Sequence, residues 1–293
     1  MKITVLIEDT RIDKRLFKEL GLSLFIETPD ARILMDTGQS GKFIDNTEKL
    51  GVDISQIEAC VISHAHYDHG GGLERFFCRN DLAPVFLHQK AMGQYVKLPE
   101  PLSSESRVPI QSVSPFPKSI GLDLPLMSRH NDRIHFITRS EQILNNIYIV
   151  TEISHHHEIP QGNRQLFSLQ KELFQRDDFR HEMILAIKEK DGIVLFSGCC
   201  HNGILNMIHR ANDYFGGVPI KGVVGGFHLI KKPGEPQTAC TPSALEEIAN
   251  IFIENNIKKI YTGHCTGRQA YDALKTRLGS RLQRLSTGKS FNI

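Results

Sequence analysis

The stretch Ser63-His64-Ala65-His66-Tyr67-Asp68-His69-Gly70-Gly71-Gly72 sets four potential metal ligands within six residues, directly behind an apolar run that reads as a strand at 58–63. Ligands packed this densely would repel one another or lie idle without a cation, so a divalent metal is the simplest reason for them. In an extended segment His64 and His66 share a side, whereas Asp68 and His69 follow a bend and can address a second position. One loop can thus serve two adjacent metals. The glycine run is expected to turn the backbone sharply before a helix opens at Leu73-Glu74-Arg75-Phe76-Phe77. A strand end followed by such a turn is a place where a cleft can form.

Three later histidines share that local setting, each behind an apolar strand and beside glycine. They are His201 in Phe196-Ser197-Gly198-Cys199-Cys200-His201-Asn202-Gly203, His228 in Gly225-Gly226-Phe227-His228-Leu229, and His264 in Thr262-Gly263-His264-Cys265-Thr266-Gly267. Strand tips converging on one sheet edge would bring all three to the first cluster. His228 could contact substrate instead of metal. Cys199 and Cys200 are either small buried hydrophobes or, for Cys199, a thiolate able to join the metal shell.

Around these motifs, strands are expected at 2–8, 22–28, 31–36, 84–88, 134–138, 147–153, 182–189, 192–197, 220–225, 258–262 and 282–287. Helices are expected near 40–50, 89–95, 203–214, 243–255 and 267–278. Strands in series before each helix argue against simple βαβ alternation and for two packed sheets with helices outside, an α/β (α+β) arrangement. The chain has 293 residues, 40% of them hydrophobic, enough for a substantial core. We read 1–293 as a single domain in which a proline- and serine-rich excursion at about 97–175 passes over the site. Phe116, Leu124, Met127 and the tract His155-His156-His157-Glu158 are candidates to line or cover the cleft, the tract being a solvated loop in the simplest reading.

Thirty-five basic and 33 acidic residues give a formal charge of +2, and no basic tract resembles a nucleic-acid footprint. The start Met1-Lys2-Ile3-Thr4-Val5-Leu6-Ile7-Glu8-Asp9 meets acids too soon for a signal peptide, and no run approaches the roughly 18 apolar residues of a membrane span. A cytoplasmic protein with neither a nucleic-acid nor a membrane partner is expected. Six cysteines without framework spacing fit reduced thiols.

His64-Ala65-His66-Tyr67-Asp68-His69 resembles the His-x-His-x-Asp-His signature of the metallo-β-lactamase superfamily, and Asp36-Thr37-Gly38 resembles its earlier Asp-Thr-Gly element. The four motifs together resemble, in order, the branch labelled dihydropterin-methyl-ribofuranosylaminobenzene-phosphate synthase-like. The resemblance implies a four-layer αββα sandwich with a two-metal site at one edge. It implies that His64, His66 and His201 hold one ion and Asp68, His69 and His264 the other, with Asp36 orienting a ligand from behind. Many members carry a bridging aspartate where this chain has Cys199, which implies a weaker second metal. His181, in Arg180-His181-Glu182 where branch relatives often have Asp-Glu, is read as exposed or as supporting a ligand. The ligand set suits zinc ahead of manganese or iron, since diiron flavoprotein relatives usually place glutamate at the position of His66.

Metal ions lower the pKa of bound water from 15.7 to roughly 7 and polarise electrophiles, which makes hydrolysis the expected chemistry. Asp68 would fix the direction of the attacking water, and His228 would stabilise charge on, or bind, an anionic group of a small-molecule substrate. The expected substrate is a small ester, lactone or phosphodiester. A synthase or transferase joining a pterin to an aminobenzene ribosyl phosphate, and a metal-dependent sensor with little turnover, are the alternatives. No feature of the sequence sets the oligomeric state.

Overall fold

The computed structural model describes residues 1–99, 102–231 and 237–293, so residues 100 and 101 of the excursion lie outside the described residues. Short aliphatic runs pair into two seven-stranded mixed sheets. The first runs in the order Ser290–Asn292, Lys2–Ile7, Ser23–Glu27, Arg32–Met35, Ala59–Val61, Val85–His88, Ile134–Ile137. The second runs Glu141–Leu144, Ile147–Val150, Ile184–Glu189, Gly192–Phe196, Ile220–Gly225, Lys259–Thr262, Leu282–Arg284. Each sheet begins with antiparallel pairs and ends with parallel ones.

Between the sheets lies a core of alternate side chains, including Val5, Leu24, Ile33 and Val61 on one face and Ile149, Leu185, Val194 and Phe196 on the other. Helices Lys42–Leu50 and Leu73–Phe77 cover the outer face of the first sheet, and Ile204–Phe215, Pro242–Glu254 and Arg268–Leu278 that of the second. The result is the expected four-layer αββα sandwich. Coverage on both faces explains why Gly192–Phe196 is buried at every position and reads as a continuous apolar run. Local chemistry sets the helix ends. The Thr241 hydroxyl accepts the Ala244 N–H at 3.2 Å at the start of Pro242–Glu254, and Gly216, at φ +62°, ends Ile204–Phe215.

This topology positions the site. Ala59–Val61, Gly192–Phe196, Ile220–Gly225 and Lys259–Thr262 belong to the parallel parts of the sheets and point their C-terminal ends at one common edge, where ligands collect in such sheets. Lys2–Ile7, two antiparallel steps from Arg32–Met35, also ends there, and Ile184–Glu189 begins there. The Met183 N–H donates to the Ser63 carbonyl at 2.8 Å and ties the sheets together at that edge.

Residues 97–175 divide between two jobs. Gln94–Lys97, Arg107–Pro109, Lys118–Ser119, Leu166–Gln170 and Leu173–Arg176 form a third, antiparallel sheet over a small core of Val96, Leu98, Val108, Phe167 and Phe174. Ile134–Ile137, Glu141–Leu144 and Ile147–Val150 instead complete the two main sheets. The expected helix at 89–95 is replaced by a 3₁₀ turn, Gln89–Met92, and a strand whose Tyr95 and Val96 pair with Ser168 and Phe167. Met127 does not cover the cleft. It is buried in the core beneath the first sheet's helices, while Phe116 is exposed, packed on Phe174 at 5.7 Å.

Candidate metal centre

The loop after Ala59–Val61 carries His64 and His66, and the short helix Tyr67–Gly70 carries Asp68 and His69. The glycines that follow make the expected turn between Tyr67–Gly70 and Leu73–Phe77, but not through a conformation that only glycine allows. Gly71 and Gly72 have φ of −68° and −88°, open to any residue, and glycine is required by crowding. A Cβ would lie 2.2 Å from the Gln39 carbonyl oxygen at Gly71 and 2.4 Å from that of Thr37 at Gly72.

The three distant histidine loops converge as the topology demands. The His64 ring centroid lies 4.7 Å from His66, 4.2 Å from His69 and 4.9 Å from His201, while His69 is 5.2 Å from His264 and His201 is 4.1 Å from His228. His264 Nε2 approaches the Asp68 carboxylate at 3.5 Å. Asp36, Cys200, His228 and His264 all occupy the left-handed region, with φ of +58°, +58°, +48° and +43°. Such conformations cost free energy and persist where the surroundings impose them.

The Nε2 atoms of His64, His66, His201 and His264 are buried without a hydrogen-bond partner, as are both ring nitrogens of His228. An orphaned buried polar atom costs about 1–3 kcal/mol. Four imidazoles bearing that cost in one small space fit a cation that would accept their lone pairs.

Each candidate ligand is held from behind. The Asp36 carboxylate accepts the Ser63 N–H and hydroxyl, both at 2.7 Å, and meets His69 Nδ1 at 2.6 Å, which turns His69 Nε2 inward. Ser63 Oγ also reaches His64 Nδ1 at 2.8 Å. His201 Nδ1 meets Asn163 Oδ1 at 2.8 Å, and Glu182 accepts the backbone N–H of His201 and Asn202. His264 Nδ1 meets Asp9 at 2.8 Å while its N–H donates to Glu8 at 2.6 Å.

Burial and the neighbouring imidazoles push His64 and His201 well below the usual histidine range, and His66, buried against His181, down to about 3. Neutral imidazole is the metal-binding form. Burial would lower His69 and His264 too, but Asp36 with Asp68 for the first, and Asp9 with Cys265 and Asp68 for the second, together hold both above the usual value. The three depressed histidines take up protons near pH 6.5 when unfolded but not when folded, so their contribution to stability is present above that pH and lost below it. Each accounts for up to about 1.4 kcal/mol per pH unit in its window. Glu8 and Glu182, pushed up by burial, offset part of the loss. The thermal midpoint of chelator-treated protein, followed by circular dichroism, is therefore expected to fall between about pH 6.5 and 5; a flat profile would contradict this assignment.

With the geometry in view, the comparisons with known proteins follow. The model of the metallo-β-lactamase superfamily matches residues 18–109, which contain Asp36 and the His64 to His69 cluster. The crystal structure of a metal-dependent hydrolase of the β-lactamase superfamily aligns over 100% of this chain and 99% of its own, with a TM-score of 0.79 and 27% identity. This chain has the metallo-β-lactamase fold. It is 26% identical, over 99% of its length and 95% of the relative's, to the 7,8-dihydropterin-6-methyl-4-(β-D-ribofuranosyl)-aminobenzene-5'-phosphate synthase of Methanocaldococcus jannaschii. A probable metallo-hydrolase of Bacillus subtilis is 32% identical over 29% of this chain and 37% of that protein.

Within this metallo-β-lactamase fold, two positions that the sequence left open find their places. His181 is not exposed: it is 1% accessible, its Nδ1 accepts the Ala65 N–H at 3.1 Å and its Nε2 meets Asp177 at 3.0 Å. It thereby fixes the loop between His64 and His66. Cys199 stands where the alternative of a metal-shell thiolate would put it. Its Sγ lies 3.2 Å from His69 Nε2, on the same side as the orphaned nitrogens. The His155-His156-His157 tract ties the excursion to the loop bearing His201, through His155 to Asn202 at 2.7 Å and the backbone N–H groups of His156 and His157 to Asn206.

Several positioning residues in this fold were not anticipated. Glu8 and Asp9 gave one usable signal, a pair of acids at the tip of a buried strand. Asn163 and Asp177 gave none, because their partners lie in loops that only the tertiary fold brings near.

Proposed function

We propose that this protein is a metal-dependent hydrolase that directs water onto a small ester, lactone or phosphodiester. The observation that carries the reading is the set of four buried, unpartnered imidazole Nε2 atoms, delivered by three separate loops into one space beside Asp68. His64, His66 and His201 would hold one divalent ion and Asp68, His69 and His264 a second, with zinc favoured over manganese or iron. When bound, such ions lower the pKa of water and polarise the substrate's electrophile.

The chain's own groups do the rest. Asp68 accepts a hydrogen bond from the attacking water and sets its direction. Burial alone would raise this carboxylate, but the His264 imidazole 3.5 Å away and the other imidazoles nearby hold it below the usual range, so it stays an acceptor at neutral pH. His228, with both ring nitrogens free, meets charge developing on the substrate or an anionic substituent. Phe179, stacked on His201 at 4.6 Å, and Tyr95, 4.5 Å from His181, supply apolar walls that limit bulk water.

A second reading, a pterin-linked synthase or transferase, rests on the name of the full-length archaeal relative. A cytoplasmic address fits the six free cysteines. Among the described residues no helix is long and apolar enough to cross a membrane.

The test is a screen of carboxylic esters, lactones, phosphodiesters and the pterin substrate pair with untagged protein supplied with zinc, manganese or iron. Hydrolysis of one class, abolished by chelation and reduced at least about 100-fold in Asp68→Asn with metal content intact, is the expected result. Turnover indifferent to chelator, or seen only with the pterin pair, would overturn the reading.

A further inference from the structure

Cys199 follows Gly198 at the tip of Gly192–Phe196, the point from which a side chain reaches the middle of the cluster. Its Sγ and the ligand nitrogens of His64 and His201 lie within 4.8 Å of one another, and the same holds for its Sγ with His69 and His264. Ligands about 2.0–2.3 Å from one tetrahedral cation stand roughly 3.3–3.8 Å apart, so either set closes on an ion with small movements. Among the described residues only Cys199 belongs both to a group with His64 and His201 and to one with His69 and His264. It is 3% accessible, and the Nε2 atoms of His64, His201 and His264 that surround it have no partner.

We propose that the Cys199 thiolate is a ligand shared by the two metal positions. The inference rests on the metal-centre reading above and replaces the expectation that loss of an aspartate at this position weakens the second metal. Binding would release the thiol proton to solvent and leave the sulfur able to donate to either ion. A soft sulfur ligand in the middle of the site shifts its preference towards zinc and away from manganese, which favours oxygen donors.

Cobalt(II) titration of the chelated, untagged protein tests this directly, because thiolate-to-cobalt charge transfer gives a near-ultraviolet band distinct from the visible bands of histidine-bound cobalt. The band is expected to grow through both equivalents, to vanish in Cys199→Ser and Cys199→Asp, and to survive in Cys265→Ser. Cys199→Asp, with a carboxylate able to bridge, is expected to keep both equivalents and the visible bands, which guards against loss through misfolding. A band that saturates at the first equivalent, persists without Cys199, or never forms although two cobalt ions bind would overturn the proposal and leave the metal centre standing. No cobalt uptake by the wild-type chain would overturn both.

Discussion

Asp36→Ala is expected to unfold the protein roughly 10 °C earlier and to strip metal from the half of the site that contains His69. Asp36, His69 and Ser63 are fully buried, and the carboxylate is the acceptor for the Ser63 N–H, the Ser63 hydroxyl and the His69 Nδ1 proton. The alanine leaves these donors without their acceptor in a place water does not reach, at about 1–3 kcal/mol for each group left unpaired. Only the Ser63 hydroxyl has an alternative, His64 Nδ1 at 2.8 Å. Position 36 also holds φ +58°, which aspartate tolerates better than alanine. The sum is on the order of 3–5 kcal/mol, large for one substitution. Asp36→Asn keeps the backbone tolerance and should recover part of the stability, but its amide presents a donor where an acceptor is needed, so the His69 ring stays misaligned. Melting by circular dichroism together with elemental analysis separates the two effects. An Asp36→Ala protein with wild-type midpoint and full metal content would show that the carboxylate does not position His69.

Gly198→Ala should damage the centre with less harm to the fold. A Cβ there would stand 2.1 Å from Ser63 Oγ, 2.9 Å from His64 Nδ1 and 3.0 Å from His69 Nδ1. Ser63 cannot yield freely, since Asp36 and His64 hold its hydroxyl. The strain must pass into the two histidines, both candidate ligands. Overpacking of this kind costs about 1–3 kcal/mol, while metal affinity is expected to fall at least about 10–100-fold, as when a supporting contact is removed. Gly216→Ala is the matched control. Its Cβ would meet nothing within 4 Å, and the penalty is confined to its φ of +62° at a helix end far from the cluster. Comparable loss of metal in both variants would remove close packing at Gly198 as the explanation.

The first cluster and the histidine loops were legible because each follows an apolar run long enough to read as a strand, and parallel strands must end at a common edge. Reading the acids was harder. Glu8 and Asp9 act on His264 from the opposite end of the chain, and nothing local to either residue announces the pairing. The third sheet was illegible for another reason: its strands are two to five residues long and partly exposed, so no alternation develops. For His181 the sequence left exposure and a supporting role open, because its partners, Asp177 and the Ala65 N–H, come together only in the fold. Cys199 could be marked as unusual from its place after Gly198, but its position among His64, His69, His201 and His264 is a fact of the folded chain alone.

The central claim is that the converging histidines exist to hold divalent metal. Elemental analysis of untagged protein, purified without chelator and then dialysed against a weak one, tests it most directly. The account predicts close to two equivalents per chain, zinc foremost, falling in His66→Ala and restored to the wild-type chain after full chelation by added zinc. A wild-type protein that emerges free of metal, and then takes up neither zinc, manganese nor iron, would contradict it.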